Sequence, residues 1–217
     1  MFRVKVSQQL LEAMTLAAIE AYCYGSVTGR KWRPVETLGY IWGFRRQVQD
    51  KTVFYLDRMS LSISSIRAST SVEPNPKAAE LKNEVVTRWS PHLTMLGDFH
   101  SQSFRNLAAV TKLQGYEFSD EDFQSFLGDD FIWGQSENSP VMLAITICRL
   151  NRVREKFGGQ VRSNICSFAV GQFQFWLAVS VGFVDELGNR QCTGNKHSKA
   201  ELELEYWLYN AASDRVL

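Results

Sequence analysis

The stretch FAVGQFQFWLAVSVGFV, residues 168–184, is the most apolar part of the chain, and its periodicity decides the fold. Phe173, Phe175, Leu177, Val179, Val181 and Phe183 recur at every second position, alternating with Gln172, Gln174, Trp176, Ala178, Ser180 and Gly182. A period of two belongs to a β-strand, whose successive side chains leave opposite faces. The run also falls just short of a membrane-spanning helix and carries two glutamines near its start. Working outward, Ser163 to Val170 and Val141 to Leu150 read as further strands, and DELGN at 185–189 as a turn. Glu201, Glu203 and Glu205 alternate with Leu202, Leu204 and Tyr206, which favours a last strand with one wet face.

Upstream, the pattern changes to a helical period. Leu10, Leu11, Met14, Ala17, Ala18 and Ala21 recur at three and four residues behind Ser7, a capable cap, and predict a helix from Ser7 to Tyr22. Residues 25–34 are expected to be a loop. Val35 to Arg45 and Thr52 to Ile66 are rich in β-branched and aromatic residues around a polar turn, suggesting a hairpin. Asn75-Pro76 opens a second helix with Ala78, Leu81, Val85 and Trp89 expected on its packed side, ending at Ser90-Pro91. Thr94 to His100 fits a short strand, and the polar segment from Ser101 to Glu117 has some helical character. Ser119 caps a third helix to Leu127, with Asp120, Glu121 and Asp122 in the first turn, where the helix dipole favours negative charge. No repeat or linker divides the chain, so one α/β domain over residues 1–217 is expected, with a sheet packed against two or three helices.

Composition bounds the function. The chain has 217 residues, 24 Lys and Arg against 23 Asp and Glu, and 45% hydrophobic residues. That describes an ordinary globular protein without the basic surplus of a nucleic-acid binder. Cys23, Cys148, Cys166 and Cys192 lie far apart with no C-x-x-C pair, so a disulfide scaffold or zinc ribbon is not expected. The opening MFRVKVSQQLLEAM lacks a secretion signal, and a cytoplasmic protein without membrane partners is the expectation. P-loop, dinucleotide, nucleophile-elbow and H-E-x-x-H motifs are all missing. Cys192 and His197 are close in sequence, yet a solvated loop is their simpler reading. The tryptophans, including Trp42, Trp89 and Trp176, are most simply core.

What remains is distributed over three segments: Glu36 in PVETLGYIWG, His100 in LGDFHSQSF, and Ser119 with Asp122 in FSDEDF. Each has a bland explanation. Ser119-x-x-Asp122 is by itself a helix capping box, Glu36 a solvated charge at a strand edge, and His100 a hydrogen-bonded structural histidine. In that order, however, the segments resemble the JAMM (JAB/MPN) metalloprotease family. VETLGYIWG is similar to the family's glutamate-bearing strand, GDFHSQSF to its G-x-x-H-S-H-P-F stretch, and FSDEDF to its later Ser-x-x-Asp. The resemblance spans Val4 to Phe126 clearly and the later strands loosely. It implies a JAB/MPN-like α+β fold with a mixed, largely antiparallel sheet.

The resemblance also implies a zinc site with His100 and Asp122 as ligands and Gln102 at the second His position. Glu36 would be the general base, Ser119 would hydrogen-bond the oxyanion, and the substrate would be an amide or isopeptide bond of a protein or peptide such as a ubiquitin-like one. The chemistry suits such a set, because catalytic zinc takes three protein ligands and an open position for water. Residues 100 and 102 of an extended chain point to one side. Asp98 shares that side, although its place in the family segment is not a ligand position. Gln102 and Ser103 stand where the family has His and Pro, and a glutamine carbonyl is a poor zinc partner beside imidazole. Two main readings follow: a zinc metalloprotease or isopeptidase, and a catalytically inactive MPN-type scaffold for protein association without bound metal. A small-molecule-binding domain that reuses the cleft is the third. The segment 103–117 is expected to be an insertion beside the cleft.

Overall fold

The computed structural model describes every residue except 29–30, 65, 68–71, 74, 154–158, 197 and 205–217, and only the backbone of 26–28, 31–33, 66–67 and 72–73. In chain order the elements are β1 (Phe2–Val6), α1 (Gln8–Tyr24), β2 (Ser26–Thr28), β3 (Lys31–Arg33), β4 (Leu38–Val48), β5 (Lys51–Leu61), β6 (Ile66–Arg67) and β7 (Val72–Glu73). There follow α2 (Pro76–Trp89), β8 (Thr94–Phe104), α3 (Leu107–Leu113), α4 (Asp120–Gly128), α5 (Asp130–Gln135) and β9 (Val141–Arg149). The chain continues through β10 (Gln160–Arg162), β11 (Ile165–Val170), β12 (Phe173–Val184), β13 (Arg190–Cys192) and β14 (Ala200–Leu204). One sheet runs β10-β11-β12-β9-β8-β4-β5-β1-β14, with β13 also on β12. Its pairs are antiparallel except β1 with β5, β1 with β14 and β8 with β9. The result is a single α+β domain with a mixed, largely antiparallel sheet.

Alternation in the central strands explains the layers. Val141, Leu143, Ile145 and Ile147 of β9, with Phe175, Leu177, Val179 and Val181 of β12, pack under Leu10, Met14 and Ala18 of α1. Their neighbours Met142, Ala144, Cys148, Trp176 and Ala178 face the other way, onto Val110, Phe118 and Phe126. Both faces of these strands are therefore buried, which is why residues 168–184 are so apolar. A third cluster joins Tyr40, Trp42 and Met95 of the sheet to Ala79 of α2 and Ile132 of α5. Helix α1 thus covers one face and the remaining helices the other.

Four expectations need correction. Residues 25–34 hold the short β2–β3 pair rather than only a loop. The strand read to Ile66 ends at Leu61, and β1 and α5 were not foreseen. Helix α2 buries Ala79 and half-buries Val86, whereas Leu81 and Trp89 of the expected packed side are 62% and 79% exposed. Lys82 and Asn83 explain the rotation. Lys82 donates to the Leu61 carbonyl, and Asn83 accepts from Trp42 Nε1 at 2.9 Å, so polar groups on the buried side fix the helix to the sheet. Trp89 is accordingly not core, unlike Trp42 and Trp176. Among the described residues the four cysteines are in no disulfide bond. His197 and Tyr206 lie outside the described residues.

One irregularity places the site. In β8, Met95 joins the cluster under α2 while Leu96 faces α1, and the β4 pairing then shifts between Trp42↔Met95 and Ile41↔Gly97. This bulge inserts one residue and resets the alternation. Beyond it Phe99 faces α1, and Asp98, His100 and Gln102 turn toward α4. Gly97 is needed there, since a Cβ would come within 1.7 Å of the Val141 carbonyl oxygen on β9.

Candidate functional site

Glu36 sits just before β4, in a segment tied to β8 by two bonds: Thr37 N–H donates to Ser101 Oγ at 3.0 Å, and Ser101 N–H to the Thr37 carbonyl at 2.9 Å. With Leu38 in register with His100, these bonds hold Glu36 beside the polar side of β8. Helix α4 closes the pocket. It begins with a complete capping box, in which Asp122 N–H donates to Ser119 Oγ at 3.1 Å and Ser119 N–H to Asp122 Oδ2 at 2.8 Å. Its far end is anchored by Trp133 Nε1, which donates to the Phe126 carbonyl at 2.7 Å, and by Arg190, which stacks on Trp133 and donates to the Leu127 carbonyl.

The three segments meet. Glu36, His100 and Asp122 line one cavity of about 190 Å³ together with Asp98, Glu121 and Asp129. A groove of about 730 Å³ continues from it past Glu36, Gln102, Ser119 and Asp122. His100 Nε2 lies 3.3 Å from Asp122 Oδ1, and Gln102 Nε2 donates to Asp122 Oδ2 at 3.1 Å while lying 3.4 Å from His100 Nε2. Thr146 Oγ1 on β9 lies 2.8 Å from the Gly115 carbonyl and 3.2 Å from Gln102 Oε1, so its single hydroxyl proton is shared between the two oxygens. The segment 103–117 packs into the core through Val110, with Phe104, Leu107 and Tyr116 against the same cluster, and forms one wall of the groove.

Burial governs the electrostatics. The Glu36 carboxyl is pushed up to about 7, first by burial and then by the nearby Asp122 charge. Asp98 is also raised to about 7, by burial and then by Asp129 and Asp122. Burial lowers His100, outweighing the Asp122 carboxylate that favours its charged form. The site therefore disfavours the charged form of the imidazole and raises two carboxyl groups into the range near neutrality where general acid-base groups often work.

The donor set does not fit a catalytic zinc. Among the described residues no three His, Cys, Asp or Glu side chains come together closely enough to hold a metal ion. Gln102 presents its N–H₂ to Asp122, and an amide nitrogen with its hydrogens aimed at a carboxylate has no lone pair for a metal. Its carbonyl oxygen is turned to Thr146. Ser119 Oγ accepts the α4 cap and also lines the groove, so the capping role exists whatever else Ser119 does. Asp129 goes unnamed in the sequence reading because α5, whose N-terminus it caps, was not foreseen: Ile132 N–H donates to its Oδ1 at 3.0 Å. Asp98 was legible from its shared parity with His100.

No family model and no curated protein matches the chain. Among solved structures it is similar to the Trichoplax adhaerens STIL N-terminal domain, with 10% identity and a TM-score of 0.36 over 83% of this chain and 42% of that one. The chain thus spans less than half the length of that structure, and at this level of likeness nothing about activity or partners follows.

Proposed function

We propose that the chain is a degenerate JAB/MPN-like domain that works as a metal-free protein-interaction scaffold. The observation that carries this reading is the Gln102 amide donating to Asp122 beside His100. Where the resembled family would place an imidazole nitrogen lone pair, this chain places N–H groups. Asp122 is thereby satisfied by an amide and by the α4 N-terminus instead of by a cation. The order of opening helix, hairpin behind Glu36, β8 with His100 and α4 with Asp122 is in keeping with the fold reading.

The rival reading is a zinc isopeptidase acting on a protein or peptide, and it draws on Glu36, raised to about 7 in the cavity that holds His100 and Asp122. Elemental analysis of purified protein after incubation with zinc separates the two. The scaffold reading expects well under one equivalent of zinc. It is overturned by near-stoichiometric zinc that is lost in His100→Ala and retained in Glu36→Gln.

A further inference from the structure

We infer that the cavity beside His100 receives an arginine side chain from an extended segment of a partner protein. This deepens the scaffold role and rests on the metal-free reading, because a zinc ion on His100 and Asp122 would compete for the same carboxylates.

The cavity gathers five carboxyl groups. Glu36, Asp98, Glu121, Asp122 and Asp129 line it, and among the described residues no lysine or arginine does. Among the described residues, none of these five forms an ion pair with a lysine or arginine; the ion pairs of Arg190 and Arg162 go to Asp130 and Glu117. Gln102 and the α4 N-terminus satisfy Asp122, and α5 satisfies one oxygen of Asp129. Asp98 is different. Its Oδ1 is buried and has no hydrogen-bond partner among the described residues. A buried acceptor left unpaired costs about 1 to 3 kcal/mol, so such an atom in a cavity wall marks a place for a donor.

The shape and chemistry select the donor. The acids do not gather closely enough for a metal ion, so the complement is a larger cation with several N–H groups. Leu38, Phe126 and Met142 supply an apolar wall to the same cavity. A guest with an aliphatic stem and a charged head matches both parts. Guanidinium is preferred to ammonium because it offers five donors in a planar fork, is less strongly hydrated and keeps its charge at any working pH. The adjoining groove along Gln102, Phe104 and the residues before Ser119 gives the rest of the guest a path. An extended peptide bearing one arginine is therefore the occupant.

The test is an NMR titration of the isotope-labelled full chain with an acetylated, amidated Gly-Ser-Gly-Arg-Gly-Ser-Gly peptide, and with the same peptide carrying norleucine or lysine for arginine. The arginine peptide is expected to shift amides of Leu38, Asp98 to His100 and the first turns of α4. Its affinity should fall about tenfold in Asp98→Asn, the equivalent of one charge-assisted hydrogen bond. Glu121 is exposed, so Glu121→Gln keeps the fold and should weaken binding about threefold, with a thermal melt on each variant to verify folding. The inference is overturned if the norleucine or lysine peptide binds within twofold of the arginine one, if both variants bind like wild type, or if free spermidine competes as well as the peptide. Zinc analysis of the same sample keeps the two readings apart. Metal-free protein that ignores the peptide overturns the arginine pocket alone, whereas stoichiometric zinc overturns the scaffold reading whichever way the peptide behaves.

Discussion

Gln102 Nε2 lies between two side chains, 3.1 Å from Asp122 Oδ2 and 3.4 Å from His100 Nε2, so that a neutral amide bridges them. Thr146 holds the other end of the amide. The orientation is thus built in by two strands and a helix.

Replacing this amide changes metal affinity in a defined direction. Gln102→His removes the donor and supplies a third nitrogen or oxygen ligand on the side of β8 that already carries His100. Zinc affinity by calorimetry should rise at least about tenfold, as expected when a missing ligand is restored. No gain would mean that His100 and Asp122 do not share a coordination geometry.

Removing the amide without replacement tests its structural role. In Gln102→Ala, Asp122 Oδ2 keeps only the Ser119 N–H. The loss of a hydrogen bond to a charged group should cost about 1.5 to 3 kcal/mol in urea unfolding. Ser119→Ala should cost about 1 kcal/mol through the lost cap. A neutral result for both would detach the start of α4 from the site.

Stability should fall as pH rises toward neutrality. Asp98 and Glu36 move from ordinary values of 3.8 and 4.5 to about 7 in the folded chain, both first through burial. The folded state therefore holds their protons more tightly, and the stabilisation is fully present below about pH 4 and lost as pH climbs through about 7. Each group contributes up to about 1.4 kcal/mol per pH unit across that window. Asp98→Asn should raise the urea midpoint at about pH 8 and flatten the profile. A wild-type midpoint that climbs steadily from about pH 5 to about pH 8 would contradict this burial.

The two faces of α2 can be told apart by substitution. Trp89→Ser should alter stability by no more than about 0.5 kcal/mol, because the ring is 79% exposed. Trp42→Ala should cost about 3 to 5 kcal/mol, since its ring is fully buried and its Nε1 is bonded to Asn83. Comparable losses in the two variants would mean that α2 packs by its Leu81–Trp89 side after all.

The legible part of this protein was periodic or stereotyped. Alternation in residues 173–184, the Asn75-Pro76 and Ser119 caps, and the parity of His100 with residues 98 and 102 all follow from local rules, and each reappears in place. Long-range polar contacts were not legible. The orientation of α2 depends on Lys82 reaching Leu61 and Asn83 reaching Trp42, partners 21 and 41 residues away, against a hydrophobic pattern that pointed elsewhere. The same holds at the site: sequence named Glu36, His100, Gln102, Ser119 and Asp122, while Thr146 as the clamp on Gln102 and Asp129 as a cavity wall emerge only when strands and helices are assembled.

The extra residue near Leu96 has a consequence for how this molecule could change. Excising it would rotate everything from Asp98 onward by half a turn, driving ionisable groups into oil beneath α1 and presenting Phe99 to the acidic chamber. Recognition chemistry and hydrophobic cohesion are therefore locked in phase, and point substitutions could retune the chamber where a one-residue deletion could only destroy it.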